Sequence, residues 1–288
     1  MSATILVIGA TGTTGKELAK LLAKSGHKTR ATVRPTSNKG ELQALGVELI
    51  QADLNDVGSL VKAMGGIQKV YFATPFVPNM VGLSSSIIRA AKNAGVEHLV
   101  KLSGGGAEID LDTMAKWHRA VEKEIEQSGI AHTFLRSNSF MQNLSNFNSH
   151  TIRDHGAFYA PLGDGKTAYV DARDIARVAY RVLTDEVHQN KAFYLSGPEA
   201  LSGAEIANIL SSATDKLIKY VDVPAEVARV SMLGTGISAE IVEGLLEHYQ
   251  VMKLGYTARV SDAVEQITGQ KATCFGAFAQ EERKAFVA

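Results

Sequence analysis

Short apolar runs alternate with stretches of helical period along this 288-residue chain. The first run, Ile5 to Ile8, passes straight into Gly9-Ala10-Thr11-Gly12-Thr13-Thr14-Gly15 and then into an amphipathic segment ending near Leu22. Further runs at Thr29 to Val33, Val47 to Gln51, Val70 to Thr74, His98 to Ser103 and His132 to Arg136 are each separated by helical patterns. That alternation predicts βαβ units, so the expected class is α/β, with a doubly wound parallel sheet and helices on both faces. Right-handed crossovers then place a ligand at the carboxyl ends of the strands, beside the switch in strand order.

From about Ala157 the pattern changes. Short extended pieces surround the turn Gly163-Asp164-Gly165, and a helix is expected from Asp174 to Leu183, with a strand at Phe193 to Ser196. Ser202 and Glu205 stand three residues apart ahead of an apolar run to Ser211, the pattern of a capping box. Ile218 to Val223 reads as strand and the chain from Pro224 onward as largely helical. The expected division is a cofactor-binding domain over 1–156 and a mixed region over 157–288, partly returning to the sheet and partly forming a smaller substrate lobe that closes over the cofactor edge. No internal repeat and no low-complexity tract interrupts this reading, and the helix faces expected to be exposed carry no long apolar stripe.

The opening loop has the chemistry of a dinucleotide seat. Gly9 permits a tight exit from the strand, Gly12 lets a pyrophosphate approach the backbone, and Gly15 lets the helix pack closely. Thr11, Thr13 and Thr14 lie among the orphan amides of the helix N-terminus, which attract phosphate; glycine-rich turns also serve pure structure. At the end of the second strand, where NAD-specific folds place a carboxylate for the ribose 2′-hydroxyl, this chain has Arg34. A guanidinium there grips a 2′-phosphate as a fork, which favours NADP, with NAD bound more weakly, unless Arg34 merely solvates a strand end. Ser37, Asn38 and Lys39 are available to complete such a pocket. Asp53 and Leu54 follow the third strand, where a carboxylate can accept from the adenine amino group and a leucine can cover the ring; the other reading has Asp53 or Asn55 capping the next helix. Ala73 and Thr74 end the fourth strand with the small bulk that lets a ribose lie against the backbone.

Charge and cysteine content narrow the class. Thirty basic and thirty acidic residues cancel, so no global field draws the chain to nucleic acid or an anionic membrane. Cys274 is the single cysteine, which rules out an intrachain disulfide and a cysteine zinc cluster and suits a reducing compartment; no metal is expected. With no apolar run of membrane-spanning length, the expectation is a cytoplasmic protein.

GATGTTG at Gly9 to Gly15, VRP at Val33 to Pro35, ADL at Ala52 to Leu54, TFLR at Thr133 to Arg136, GPEALS at Gly197 to Ser202 and LGYTARVSDAVEQITGQ at Leu254 to Gln270 together resemble the NmrA-like family of atypical short-chain dehydrogenases. Within it, the likeness is to the branch holding triphenylmethane dye and quinone reductases. The resemblance implies a Rossmann-like fold with a small substrate lobe, and NADPH held by the Gly9 to Gly15 loop and Arg34.

Ordinary short-chain dehydrogenases carry a Tyr and a Lys four residues apart on the helix after the fifth strand; the matching places here are Met114 and His118. An isolated carbonyl needs charge relief as it takes hydride, whereas a quinone, an azo dye or a cationic triphenylmethane dye delocalises or cancels the charge. His118 is the candidate acid or polariser, with Glu122 one turn on to orient it, against the alternative of a satisfied core histidine. Ser103 ends the fifth strand where such folds often carry a serine near the substrate, and is expected at the cofactor; Gly104-Gly105-Gly106 after it is either a donor set or a flexible turn. Asn138 and Phe140, beyond the sixth strand, are expected to face the nicotinamide, with Met141 beside them. Phe76, Met80, Trp117, Tyr169 and Met232 are candidates to line an apolar pocket for a flat, quinone-like acceptor. The expected function is an NADPH-dependent oxidoreductase acting on such acceptors. The alternatives are an NmrA-like regulator that senses NAD(P) redox state without turnover, and a non-redox enzyme on the same scaffold.

Overall fold

The computed structural model describes residues 4–34 and 40–287; Ser37, Asn38 and Lys39 lie outside the described residues. Strands form at β1 (Ile5–Ile8), β2 (Thr29–Val33), β3 (Glu48–Gln51), β4 (Lys69–Phe72), β5 (His98–Gly104), β6 (Ala131–Ser137), β7 (Ala157–Ala160), β8 (Lys191–Leu195) and β9 (Lys219–Asp222). The principal helices up to residue 184 are α1 (Thr13–Lys24), α2 (Gly40–Ala44), α3 (Val57–Ala63), α4 (Met80–Ala94), α5 (Thr113–Ser128), α6 (Ser149–His155) and α7 (Ala172–Thr184). Beyond them come α8 (Gly203–Thr214), α9 (Ala225–Gly234), α10 (Ala239–Lys253), α11 (Ala263–Thr268), α12 (Phe275–Glu281) and α13 (Arg283–Phe286).

The chain divides into two compact units that interleave in sequence. One comprises Met1–Ala107, Lys116–Arg136 and Ala172–Phe193; the other comprises Glu108–Ala115, Ser137–Asp171 and Tyr194–Ala288. The chain thus leaves the first unit at the end of β6, well before residue 157, and returns to it for α7. The return follows from α7 itself, whose Ile175, Ala176, Val178, Ala179 and Val182 are fully buried and need a sheet to cover them.

In the first unit a seven-stranded sheet runs in the order β3-β2-β1-β4-β5-β6-β8. β1 pairs in parallel with β2 and β4, β2 with β3, and β4 with β5, so strand order reverses between β1 and β4. A crevice beside the carboxyl end of β1 is therefore the place where this topology receives a ligand. Leu6, Ile8, Val70, Phe72, Leu99 and Phe134 form one apolar face under Leu60, Ile87, Ile88, Val121 and Ile125 of α3, α4 and α5. On the opposite face α1 packs on α7, and α7 on β4 and β5. Each such fully buried Leu, Ile or Phe contributes about 1.5–3 kcal/mol. Lys69, a charged residue in this sheet, donates to the Leu183 carbonyl at 2.9 Å near the end of α7, so its ammonium satisfies an orphan helix carbonyl.

The second unit has its own parallel pair, β7 with β9, in register Ala157↔Lys219 to Ala160↔Asp222. Phe158, Leu210, Ile218, Phe275, Phe278 and Phe286 are buried together there, so the C-terminal helices supply core and not only surface. The capping box of α8 is present: Glu205 N–H donates to Ser202 Oγ at 3.3 Å and Ser202 N–H to the Glu205 carboxylate at 2.8 Å. α9 departs from the expected absence of apolar stripes, exposing Val227, Val230 and Leu233 by 53%, 63% and 43% at three-residue spacing. Among the described residues no helix is long and apolar enough to cross a membrane.

Candidate cofactor and hydride-transfer site

The turn between β1 and α1 is built around backbone that tolerates no side chain. Gly9 has φ of 86°, in the left-handed region, and a Cβ there would lie 2.8 Å from the Ala73 carbonyl oxygen. A Cβ on Gly15 would lie 2.8 Å from the Gly9 carbonyl carbon and closer still to its oxygen, so helix and strand meet here backbone to backbone. Gly12 N–H donates to Gly9 O at 2.9 Å and closes the turn. Lys16 N–H to Gly12 O, at 3.1 Å, is the first bond of α1, which leaves the amides of Thr13, Thr14 and Gly15 ahead of it. No side chain caps this N-terminus, its first turn holds no acid, and Thr11, Gly12 and Thr13 are exposed. The partial positive end of α1 is thus open to an anion. Thr14 differs from its neighbours: its buried hydroxyl lies 2.7 Å from the Tyr71 hydroxyl and ties α1 to β4.

Arg34 follows β2, is exposed, and has no acidic partner among the described residues. Arg30 on the same strand is by contrast engaged with Glu48 at 2.9 Å and with the carbonyls of Ala63 and Gly65 at 2.8 and 2.9 Å. Asp53, also exposed, accepts from Asn55 N–H at 2.9 Å and from its side-chain amide at 3.1 Å, bonds that hold the carboxyl below its ordinary range. The cap of α3 is neither of these residues but Asp56, which accepts from Gly58 N–H at 2.8 Å. Leu54 is half-buried and packs against the core beneath it. Ala73 N–H donates to Ile8 O at 3.2 Å, which sets the exit of β4 beside the glycine turn, with Thr74 half-buried next to it. Open amides, a guanidinium with no acidic partner among the described residues and the lack of a carboxylate directly after β2 in the sequence fit a dinucleotide carrying a 2′-phosphate.

At the exit of β5 a buried charge cluster occupies the space between the sheet and α5. Glu122 is fully buried. It accepts from Ser103 Oγ at 2.7 Å, from Arg136 Nε and Nη2 at 3.1 and 2.8 Å, and from Arg119 at 3.2 Å. Burial raises its pKa, but Arg136 and Ser103 outweigh that and hold the carboxyl below its ordinary value. The expected contact from Glu122 to His118 is replaced by another. His118 Nδ1 lies 2.8 Å from the ammonium nitrogen of Lys101, because the fork of Arg136 and the hydroxyl of Ser103 already occupy the carboxylate. Lys101 is 1% exposed, and burial pushes it down to about 7 against the pull of Glu122. Burial and the neighbouring Lys101 push His118 well below the ordinary imidazole value. The ring leans over the strand exit: a Cβ on Gly104 would lie 2.6 Å from His118 Cδ2 and 3.3 Å from Nε2. Lys101 escaped the sequence reading although one signal was present, a lysine in the middle of an otherwise apolar strand.

Other candidate residues are placed differently from expectation. Phe76 and Trp117 do meet, half-buried, with ring centroids 5.4 Å apart and planes inclined by 40°. Met80 is buried at the start of α4, and Met141 and Tyr169 belong to the core of the second unit, which leaves them no open surface to offer an acceptor. Asn138 is buried with both ends of its amide engaged: Nδ2 donates to Thr257 O at 2.8 Å and Oδ1 accepts from Ser139 N–H at 2.8 Å. Its side chain therefore ties the turn after β6 to the segment around Thr257. Phe140 is half-buried and bridges to Val170, while Met232 is half-buried on α9.

A further polar chain lies in the second unit. Ser139 Oγ is 3.2 Å from His248 Nε2, His248 Nδ1 is 2.8 Å from an Asp112 oxygen, and the other Asp112 oxygen accepts from Ala115 N–H at 2.7 Å. Burial raises the Asp112 pKa, but His248 and the amide outweigh it, so the carboxyl is held below its ordinary value. The order matches a nucleophilic triad, yet Ser139 N–H, the natural oxyanion donor, is spent on Asn138. The chain acts as a clamp between residue 112 and α10.

The geometry of the glycine turn is accompanied by a match of residues 1–276 to the model of the NmrA-like family. The chain belongs to the NmrA-like family. It is similar to the NAD(P)H azoreductase of Xenophilus azovorans, with 40% identity over 283 residues, covering 98% of this chain and 99% of that protein. Among solved structures, the NADPH-dependent quinone oxidoreductase of Escherichia coli complexed with NADPH has a TM-score of 0.85 at 26% identity, covering 96% of this chain and 99% of that one. The triphenylmethane reductase of Citrobacter sp. complexed with NADP(H) has a TM-score of 0.84 at 27% identity, covering 97% and 99%.

Proposed function

We propose that this NmrA-like protein is an NADPH-dependent oxidoreductase that delivers hydride to flat conjugated acceptors of the quinone, azo or triphenylmethane dye type. The observation that carries the cofactor half is the uncapped, acid-free N-terminus of α1 at the point where strand order reverses. In this reading Gly9, Thr11, Gly12, Thr13, Thr14 and Gly15 hold the pyrophosphate through backbone amides, and Arg34 holds the 2′-phosphate. Asp53 and Leu54 receive the adenine, and Ala73 and Thr74 let a ribose lie against the strand ends. When bound, NADPH supplies the hydride. The acceptor class rests on Met114 and His118 standing where related dehydrogenases carry a tyrosine and a lysine, and on the Phe76–Trp117 pair as a surface for a planar molecule. The lone, unpaired Cys274 supports a reducing, cytoplasmic setting.

The test is titration of the protein with NADPH, followed by the absorbance of NADPH against a panel of quinones, azo dyes and triphenylmethane dyes. Turnover with at least one class is expected, and tight binding with no turnover on any of them overturns the assignment. Arg34→Ala is expected to cost about 2 kcal/mol of NADPH affinity, roughly thirtyfold, as befits a lost charge-assisted bond. NADH affinity should stay within about twofold on the same principle, since it lacks the 2′-phosphate. An unchanged ratio of the two affinities removes Arg34 from the site.

A further inference from the structure

Lys101 is a lysine almost without exposure, and the hydrogen-bond partners of its ammonium are the Leu102 carbonyl at 3.1 Å and His118 Nδ1 at 2.8 Å. An ammonium has only donors to offer, so the bond fixes His118 Nδ1 as the acceptor. The neutral ring must then carry its proton on Nε2. That nitrogen has no hydrogen-bond partner among the described residues, and it lies on the edge of the half-buried ring that leans over Gly104. Gly104 ends β5, at the carboxyl edge of the sheet where this topology receives its ligand. A lysine, an imidazole and an unpartnered N–H therefore form a line from the protein interior to the mouth of the sheet.

Resting on the reductase reading above, we propose that Lys101 sets the tautomer of His118 and resupplies its proton, making His118 Nε2–H the proton donor to acceptors that become anionic on reduction. The balance is simple. A quinone or azo group that has taken a hydride carries a negative charge on oxygen or nitrogen; it takes the proton from His118 Nε2, while Nδ1 takes one from the Lys101 ammonium and leaves a neutral amine. After product leaves, a proton from water enters at Nε2 and the Nδ1 proton returns to the amine. A cationic triphenylmethane dye needs none of this, because hydride alone converts the carbocation to its neutral leuco form. Lys101 acts through His118 and is thus a positioning and proton-supplying residue.

The groups facing the pair set its pH response. Glu122 on α5 favours the ammonium and Arg136 on β6 opposes it, while Arg119 and Glu126 on α5 pair with each other beside Glu122. With burial dominant, Lys101 loses its proton at about pH 7. Quinone turnover at saturation is expected to fall as pH rises through that value, while dye decolorisation stays flat.

Two readouts test the proposal. In protein with ¹⁵N-labelled histidine, with His118 assigned by the signal missing from His118→Gln, the Nε2–H tautomer is expected below pH 7 and a mixed population above it. In Lys101→Met and Lys101→Gln at pH 6, kcat for a quinone should fall about tenfold or more, within the range of general acid catalysis, with KM and dye turnover within about twofold. Equal slowing of quinone and dye marks Lys101 as merely structural, and no slowing of either removes it from the reaction; both overturn the proposal. If neither variant folds, the wild-type profiles decide: parallel pH dependence for quinone and dye, or an Nδ1–H tautomer below pH 7, overturns it. Wild-type protein that reduces no acceptor yet shows the Nε2–H tautomer overturns the reductase reading while leaving the Lys101–His118 arrangement supported.

Discussion

Gly15→Ala is expected to lower NADPH affinity by about a hundredfold, the cost of displacing binding groups by about an ångström. The added methyl would sit 2.8 Å from the Gly9 carbonyl carbon and nearer to its oxygen, and neither atom is the free end of a side chain. Relief requires α1 to move away from β1. The amides of Thr13, Thr14 and Gly15 move with it, since they lie ahead of the first intrahelical bond at Lys16. The same clash loads the contact of α1 with α7, so an overpacking cost of about 1–3 kcal/mol in stability accompanies it. NADPH titration by fluorescence, with a thermal melt of the apo variant, separates the two effects. An affinity within twofold of wild type, at matched folding, would remove the glycine turn from the cofactor site.

That turn was legible because every requirement on it is local. A buried strand, a backbone with positive φ and a helix that must start without a side-chain cap all leave marks within the first residues of the chain, and Arg34 follows at a fixed distance along the next strand. The sheet was legible for the same reason, since each βα unit carries its own period. What escaped depends on registration between elements distant in sequence. Glu122 follows His118 by one helical turn, and the local rule pairs them. In the fold Arg136 from the neighbouring strand reaches Glu122 with two nitrogens, and His118 turns to Lys101, 17 residues earlier. A two-pronged bond within the cluster outweighs an i, i+4 contact worth only a few tenths of a kcal/mol.

Apolar pattern was equally blind to the difference between a core and a pocket. Met80, Met141 and Tyr169 have the composition of a pocket wall, and burial gives them to the core; Phe76 and Trp117 have the same composition and remain half-exposed. Asn138 shows the polar version of this limit. Its position after β6 pointed to the nicotinamide, but a buried amide must satisfy both its ends, and Thr257 and Ser139 do so. The interleaving of the two units was legible in part: a partial return of the region over 157–288 to the sheet was expected, whereas the exit from the first unit already at the end of β6 was not, because it depends on packing between elements distant in sequence.

Glu122→Ala is expected to destabilise the protein by about 3–5 kcal/mol, the cost of stripping one partner from a buried ion pair. The carboxylate is fully buried and neutralises Arg136, Arg119 and, through space, Lys101. Removing it leaves those cations facing each other behind α5, and at about 2–4 °C per kcal/mol the melting temperature should drop by roughly 10 °C. Glu122→Gln isolates the charge from the volume. The folded-state pKa of Glu122 lies below the ordinary 4.5, so the wild-type carboxylate stabilises the fold above that pH, and the contribution fades as pH falls through the folded value. The neutral amide of the Glu122→Gln variant has no such acid limb, so the melting temperatures of variant and wild type should stay apart from pH 7 down to about 4.5 and converge only as the pH falls below that, through the folded-state value. The same substitution reports on the proton path. Glu122 is what favours the Lys101 ammonium against burial and Arg136, so its loss should move the fall of quinone turnover to lower pH while leaving cationic dye turnover flat. A Glu122→Gln protein with the wild-type melting temperature at neutral pH and an unmoved quinone profile would show that the cluster neither holds the fold nor tunes Lys101.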